Sequence, residues 1–379
     1  MAVLNEDYAR SLAAFRPERG LCVSLFLGLD PHVVPTAAEL DSHVSSLLKR
    51  AREAVEGVPE TIDRDRIQGV REDVERIEEY LHGLDRSGAL GLALHASRLD
   101  DVWNDVRLSA SVEDAIHLSR TFTLAPLLAS LERDRVLVLA AVGRDRGTLW
   151  RSRSGRIEPV PDLSRNGQGR HDQGGWSQAR YQRSREREAT DHLRDVAEAV
   201  GALIPQGSEI LLVAACSDEQ RPTFHALLAP HVQDALLGWA TIEAHAGENA
   251  LQSEAVRLLD IRLEEERKTI LERWREERGQ GGRAADDWGD AITAAWDGRI
   301  DTVVVDGRTQ TAWECPRCGR GSAVSRACVL DGTRLEEAPN GALELLLHGT
   351  LVHGGHVRLA SETELDDVLH VAALLRYPG

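Results

Sequence analysis

Two short apolar runs, separated by a polar stretch and an amphipathic segment, constrain the middle of this chain to an α/β fold. Residues 135–142 and 210–215 each have the nearly continuous apolar pattern of a buried strand. Between them, residues 189–200 carry apolar side chains at helical spacing. Strands that alternate with helices are typical of α/β domains, so we expect an α/β structure around these two strands.

Breaks in the apolar pattern predict that the 379-residue chain, which is long enough to bury several cores, has three domains. We assign residues 1–133 to an N-terminal α/β domain, residues 134–278 to a central domain and residues 279–379 to a C-terminal α/β domain. Glycine and polar residues at 279–283 form the linker between the last two. A helix is predicted at residues 284–296, just after that linker.

Composition limits the class of protein. Hydrophobic residues make up 42% and charged residues 28%, which argues against global disorder. No apolar run approaches the roughly 18 residues that span a bilayer, and the N-terminus lacks the basic and apolar regions of a secretory signal. Three of the five cysteines lie between residues 315 and 328, which favours a metal site in a reducing compartment over disulfides. We therefore expect a cytoplasmic protein with no membrane partner.

Two motifs with the same inner spacing predict a metal-binding insert at residues 313–333. Cys315 and Cys318 form a Cys-x-x-Cys pair, and Cys328 and Asp331 repeat its spacing with a carboxylate at the last position. Zinc takes thiolate, imidazole and carboxylate ligands in a tetrahedral arrangement, so this set suits a Zn²⁺ ion. Three free thiols in a loop are the alternative interpretation.

Neighbouring residues bear on how that insert would fold. Gly319 and Gly332 directly follow the two pairs, where glycine permits the tight turn that a metal knuckle needs. His348, His353 or His356 could supply the fourth ligand instead. A closed four-ligand site leaves no open position for catalysis. Its metal ion would instead stabilise the fold of a loop that has little hydrophobic core of its own. The expected role of the zinc is therefore structural.

A long polar stretch in the central domain ends at a pair of glycines. Residues 161–175 contain almost nothing to bury, which predicts an exposed loop, and such long loops are usually functional or disordered. Gly174 and Gly175 would let backbone amides approach a substrate closely. Gln178, just beyond them, offers an amide donor and an uncharged acceptor.

Arginines crowd this region of a chain whose formal net charge is −17. So acidic a chain repels nucleic acid on average, and any contact with RNA must be local. The loop and the segment after it provide side chains suited to phosphate contacts and base stacking. These candidate RNA-binding residues are Arg165, Arg170, Trp176, Ser177, Arg180, Tyr181, Arg183 and Arg185. A flexible loop followed by an ordinary helix N-terminus is the alternative.

Residues 174–183 (Gly-Gly-Trp-Ser-Gln-Ala-Arg-Tyr-Gln-Arg) resemble a motif of the archaeal and eukaryotic class I peptide-release factors, in which Gly-Gly-Gln-Ser precedes an Arg-aromatic-x-Arg helix start. The two glycines, the serine, both arginines and the tyrosine occupy matching positions. Trp176 stands in the place of the family's catalytic glutamine. Gln178 lies two residues further on, and this Gly-x-x-Gln arrangement is similar to the peptidyl-tRNA hydrolase branch that acts in ribosome-associated quality control.

The order of parts also resembles bacterial members of this superfamily. They have three domains, of which the third is similar to the ribosomal L7Ae fold and often carries a Cys-x-x-Cys insert. The resemblance implies an α/β protein of three domains. The central one is a release-factor-like domain with a long glycine-pair loop at residues 162–183, and the C-terminal one is L7Ae-like with a zinc-knuckle insert.

The resemblance implies a ribosome-associated protein that hydrolyses the peptidyl-tRNA ester on stalled ribosomes. Gln178 would position the water, with Gly174 and Gly175 admitting the loop to the catalytic centre. The implied partners are the ribosome, tRNA and rRNA; the sequence has no Walker loop, so a translational GTPase would be a separate partner. Trp176 favours a second hypothesis, a non-catalytic ribosome-binding factor for hibernation or occlusion. A zinc-stabilised adaptor without ribosomal activity is the third.

Overall fold

The computed structural model describes residues 4–57, 63–85, 89–143, 146–153, 156–160, 178–241, 247–365 and 370–378. The chain forms two compact units. The first unit combines Met1–Asp134 with Leu263–Gly379, and the second comprises Arg135–Arg262. Among the described helices, none combines the length and the hydropathy that a membrane span requires.

The helices and strands follow one another along the chain in three groups. The first group is α1 (Glu6–Ala14), β1 (Cys22–Gly28), α2 (Ala37–Glu56), α3 (Arg64–His82), β2 (Gly91–Ser97), β3 (Val102–Leu108), β4 (Ala115–Ser119) and α4 (Ala125–Arg133). The second is β5 (Leu137–Val142), β6 (Gly147–Arg153), β7 (Arg156–Pro159), α5 (Gln178–Leu203), β8 (Leu211–Cys216), α6 (Arg221–Leu227), α7 (Pro230–Asp234), β9 (Leu236–Trp239) and α8 (Glu248–Gly279). The third is β10 (Ala284–Ala285), α9 (Trp288–Trp296), β11 (Ile300–Val305), β12 (Trp313–Glu314), β13 (Gly321–Ser322), β14 (Glu336–Glu337), α10 (Gly341–Val352), β15 (His356–Leu359) and β16 (Val371–Leu375).

In the first unit, the N-terminal strands form an antiparallel sheet in the order β3-β2-β1-β4. Helix α2 starts with a capping box, in which Thr36 accepts a hydrogen bond from the backbone N–H of Glu39 and the Glu39 carboxylate accepts one from that of Thr36. The apolar faces of α2 and α3 bury leucine, valine and isoleucine side chains against one face of the sheet.

The C-terminal part of the same unit contains a second sheet, in the order β10-β16-β11-β15, with β11 parallel to β15. Helix α9 begins at Trp288, because Asp287 caps it by accepting from the backbone N–H groups of Gly289 and Asp290. The helix predicted at 284–296 is therefore wrong in its first turn. Ala284–Ala285 instead pairs with β16.

One hydrophobic core joins the two ends of the chain. Phe26, Phe122 and Leu124 from the N-terminal part lie in the same buried cluster as Ile292 and Leu346 from the C-terminal part. The residues that we assigned to the first and third domains thus share a core. The division into three domains stays a prediction.

The second unit contains a five-stranded sheet in the order β7-β6-β5-β8-β9. The strands β5, β8 and β9 are parallel, and β6 pairs with β5 in the antiparallel direction. Helix α5 packs on one face of this sheet, and the start of α8 packs on the other. The predicted α/β class is confirmed in its coarse form, a mixed α/β structure with several sheets.

Candidate functional site

The first candidate site is the start of α5. This helix of 26 residues begins at Gln178, so the predicted passage into a helix at this point is confirmed for the backbone. Its first four backbone N–H groups have no partner within the helix and carry the positive end of the helix dipole. Residues Arg180 and Arg183 are three positions apart on the helix and share a face.

Some predicted site residues fall outside this description. Gly174, Gly175, Trp176 and Ser177 lie outside the described residues, as do Arg165 and Arg170. Only the backbone is described for residues 178–186, which include Gln178, Arg180, Tyr181, Arg183 and Arg185.

The second half of α5 fixes the direction of the helix. Leu193, Val196, Ala197 and Val200 are all at least 96% buried on the sheet, as their helical spacing predicted. Val196 packs against Gly147 so closely that a Cβ added to Gly147 would lie only 2.5 Å from the Cγ2 atom of Val196. Because Gly147 pairs with the last residue of β5, Val196 lies level with the carboxyl edge of the sheet. Eighteen residues of helix at 1.5 Å each place Gln178 about 27 Å from Val196 along the helix axis.

The second candidate site is the cysteine insert, where two turns have the same backbone geometry. The N–H of Gly319 donates to the carbonyl of Cys315 at 2.8 Å, and the N–H of Gly332 donates to that of Cys328 at 2.9 Å. Both glycines have φ near +73°, a left-handed conformation that favours glycine. The two turns therefore form a pair of matching knuckles, as their common spacing predicted.

The four predicted ligands lie together. The thiol sulfurs of Cys315, Cys318 and Cys328 and a carboxylate oxygen of Asp331 are all within 4.8 Å of one another. The Sγ atoms of Cys318 and Cys328 are 3.6 Å apart, and Cys315 Sγ lies 3.7 and 3.8 Å from the Asp331 oxygens. A tetrahedral zinc ion with Zn–S bonds of 2.3 Å requires edges of about 3.6 to 3.8 Å. This set of atoms could therefore hold a metal ion.

Backbone amides complete the surroundings of the thiols. Hydrogen bonds from the N–H groups of Leu330 and Asp331 lower the pKa of Cys328. Desolvation and the neighbouring thiols raise the pKa of Cys318 to about 11, against a hydrogen bond from the backbone of Arg320. A bound cation would favour the thiolates and reverse that rise. These amide contacts were not predicted from the sequence, although the Cys-x-x-Cys-Gly spacing is the signal for them.

The three histidines considered as fourth ligands do not belong to this group. His348 is buried, and its ring nitrogens lie 3.0 and 2.8 Å from the carbonyl oxygens of Ala13 and Phe122. His356 pairs with Glu6 at 3.0 Å, and His353 caps the end of α10. Among the described residues, Asp331 completes the set.

The two knuckles differ in their burial. In the first knuckle, Gly319 packs against Arg16: a Cβ added to Gly319 would lie 2.9 Å from the Nε atom of Arg16. Arg16 also donates to the carbonyls of Ala13 and Phe15 at the end of α1. In contrast, a Cβ on Gly332 of the second knuckle would meet no atom within 4 Å. The first knuckle is attached to the core of its unit, and the second projects from it.

Comparisons with known proteins agree with the motif at the start of α5. Residues 123–260 match the family model of the bacterial archaeo-eukaryotic release factor family 10. A search of curated proteins found no match.

Solved structures of translation factors are similar over much of the chain, at low sequence identity. An archaeal translation termination factor, aRF1, is 14% identical over 99% of both chains, with a TM-score of 0.26. Archaeoglobus fulgidus Pelota is 13% identical over 76% of this chain and 79% of its own, with a TM-score of 0.35. S. cerevisiae Dom34 is 10% identical over 76% and 81%, with a TM-score of 0.42. Because TM-scores this low do not establish a common arrangement, the assignment depends on the family model.

The matched residues contain β5, β8 and all of α5, including the Arg-Tyr-x-Arg segment at its start. Residues 123–260 of this chain therefore resemble the bacterial archaeo-eukaryotic release factors, and the resemblance that residues 174–183 predict is confirmed.

Proposed function

We propose that this protein acts on stalled ribosomes as a release-factor-like hydrolase of the ester between the nascent peptide and tRNA. The observation that carries the proposal is the position of Gln178. It is the first residue of α5, follows the Gly174-Gly175 pair by three residues, and lies in the part of the chain that matches the release-factor family.

The chemistry needs a positioned water more than a strong base, because an ester is already activated. The Gln178 side-chain oxygen would accept a hydrogen bond from the water, whose oxygen attacks the ester carbonyl. The amide N–H groups at the start of α5, unpaired within the helix, would stabilise the oxyanion that forms. The bond to the tRNA 3′ oxygen then breaks, that oxygen takes one proton of the water, and the other proton passes to solvent as the peptide leaves as a carboxylate.

The residues around Gln178 would hold RNA. Arg180, Arg183 and Arg185 lie in the first turns of α5 and would contact phosphates, while Trp176 and Tyr181 would stack on bases. Ser177, Arg165 and Arg170 belong to the same proposed surface. The start of α5 lies about 27 Å along the helix from Val196, which packs at the sheet edge, and this supports the role because a narrow element can enter a site that the whole domain cannot.

The rest of the chain would serve recruitment and stability. We propose Zn²⁺ as the structural ion of Cys315, Cys318, Cys328 and Asp331, in a C-terminal L7Ae-like domain of a three-domain cytoplasmic protein. The ribosome, tRNA and rRNA are the proposed partners. A translational GTPase is a further one, and yeast Dom34 is described as interacting with Hbs1.

A peptide-release assay on stalled ribosome–nascent-chain complexes tests the hydrolase. The Gln178→Ala variant is expected to release peptide about 100-fold more slowly than the wild type, because the water loses the group that positions it and misplaced reacting atoms cost about that much in rate. Gln182→Ala is the matched control, because it removes the same amide group one helical turn later in α5. Equal rates for wild type and Gln178→Ala would refute the role of Gln178.

The non-catalytic alternative predicts a different result. Trp176, in the place of the family's catalytic glutamine, favours a factor that binds ribosomes without hydrolysis. In that case the wild type releases no peptide yet co-sediments with ribosomes. A zinc-stabilised adaptor without ribosomal activity would stay in the supernatant.

A further inference from the structure

The second knuckle of the metal insert is the end of an exposed hairpin. The N–H of Cys328 donates to the carbonyl of Thr333 at 2.7 Å, and that of Leu335 donates to Arg326 at 3.0 Å. Ala327 and Arg334 form an antiparallel bridge between these bonds. We call residues 326–335 the Cys328 hairpin.

The end of the Cys328 hairpin is apolar and faces solvent. Val329 is 60% exposed and Leu330 69% exposed, although side chains of this kind are usually buried. They lie between two metal ligands, so the metal would fix their backbone while leaving the side chains free to bind a partner. Two adjacent apolar side chains held outward in this way are available to contact a partner.

Positive charge surrounds this apolar end. Residues 315–335 contain four arginines and a single acidic residue, Asp331, within a chain of net charge −17. Arg320 already forms an ion pair with Asp297. The other three are exposed: Arg317 on the first knuckle, with its Nε 3.9 Å from an Asp331 carboxylate oxygen, and Arg326 and Arg334 on the two sides of the hairpin.

The metal does not cancel this charge. Zinc with three thiolates and one carboxylate has a net charge of about −2, which the three exposed arginines exceed. Glu336, which follows the hairpin, is paired with Arg120 at 2.8 Å. On the other flank, Ala323 lies beside Gly289 and the acidic start of α9, so the positive surface is confined to the hairpin side.

We propose that the Cys328 hairpin binds RNA, with Arg317, Arg326 and Arg334 on phosphates and Val329 and Leu330 against sugars and bases. Planar guanidinium groups match the geometry of phosphate, and the wide, shallow minor groove of an RNA helix admits short apolar side chains. This inference deepens the proposed ribosomal function and rests on it for the identity of the RNA. The surface is separate from the residues proposed around Gln178.

The test is a salt titration of RNA binding by the full, zinc-loaded chain. The probe is a fluorescent RNA hairpin with a base-paired stem, followed by anisotropy from low to high KCl. Each lost phosphate contact lowers the slope of log affinity against log salt by about 0.7 to 0.9. The triple variant Arg317→Gln, Arg326→Gln and Arg334→Gln is therefore expected to lower the slope by about 2 and to bind at least tenfold more weakly at the lowest salt concentration.

The matched control is a triple variant with the same change of charge in the same unit: Arg52→Gln, Arg98→Gln and Arg273→Gln. These arginines are similarly exposed. The control should keep the wild-type slope. Zinc content, measured on every variant, shows that the insert is folded. The pair Val329→Ser and Leu330→Ser should weaken binding without changing the slope.

Two results would overturn the proposal. One is a wild-type slope in the hairpin triple variant, and the other is an equal loss in the control, which would reflect net charge alone. If the hairpin binds an acidic protein surface instead of RNA, the hairpin triple variant would keep the wild-type slope in the RNA titration. Peptide release by Gln178→Ala is measured separately, so a failure of the hairpin proposal is distinguished from a failure of the proposed hydrolase.

Discussion

Replacement of Asp331 tests the composition of the metal centre most directly. Its carboxylate lies 3.7 and 3.8 Å from Cys315 Sγ and accepts the N–H of Thr333 at 2.9 Å, so it is already oriented toward the thiols. Structural zinc in small domains binds with about 10 to 16 kcal/mol. One ligand of four accounts for roughly 3 kcal/mol, which is about 100-fold in affinity. We expect Asp331→Ala to bind zinc about 100-fold more weakly than the wild type.

A second substitution at the same position changes the ligand and keeps the turn. Asp331→Cys would create a second Cys-x-x-Cys-Gly knuckle, and the backbone of residues 328–332 already matches that of residues 315–319. Zinc accepts four thiolates readily, so this variant should bind at least as tightly as the wild type.

Competition with a chromophoric chelator measures both affinities, and metal analysis should find about one zinc per chain in the wild type. Glu337→Ala is the control, since Glu337 is an exposed carboxylate of β14, which pairs with β12 beside the insert, and it lies outside the ligand group. Wild-type affinity in Asp331→Ala, or an equal loss in Glu337→Ala, would refute the assignment of Asp331 as fourth ligand.

Two further predictions concern the stability of the first unit. Burial raises the pKa of Asp73 from 3.8 to about 6, so the folded state holds this proton more tightly than the unfolded state. The stability that results is present below about pH 4 and is lost as the pH rises through about 6. Relative to the wild type, Asp73→Asn should therefore gain up to about 3 kcal/mol between pH 4 and pH 8, measured by urea unfolding; a constant difference would contradict this pKa. Arg267 is 9% exposed and lies between the carboxylates of Glu132 and Glu364, at 3.9 and 2.9 Å. Arg267→Ala leaves both carboxylates without this partner and should cost about 3 to 5 kcal/mol by the same measurement at pH 7, whereas a loss below 1 kcal/mol would show that the pair is solvated.

Features that depend on residues close in sequence were predicted well. The matching knuckles follow from Cys-x-x-Cys-Gly and Cys-x-x-Asp-Gly, because each turn closes within five residues around a glycine of positive φ. The helix face at Leu193–Val200 followed from spacing alone, and its residues are buried. A helix start after the polar loop was also predicted, and α5 begins at Gln178.

Features that depend on distant partners were not predicted. Ala284 and Ala285 continue the apolar pattern of α9, and only their pairing with Leu374 and Ala373 in β16 makes them a strand. Helix α1 was missed, because its burial depends on α10 and α4 more than on its own composition. The core shared by both ends of the chain is invisible in sequence for the same reason, since it joins residues separated by about two hundred positions.

The same distinction explains why the two candidate sites were accessible to sequence analysis. The hydrophobic cluster of the metal insert consists of Cys315, Cys328 and Leu335. The free energy gained by burying these side chains is too small to offset the conformational entropy lost when some twenty residues become ordered. Its structure must come from ligands, and ligands are visible as residue types at fixed spacing. The start of α5 lies beyond the packed part of its helix, so its identity depends on caps, glycines and charge, which are also local. Long-range packing builds the platforms for both sites, while the chemistry of each is encoded in about ten to twenty consecutive residues.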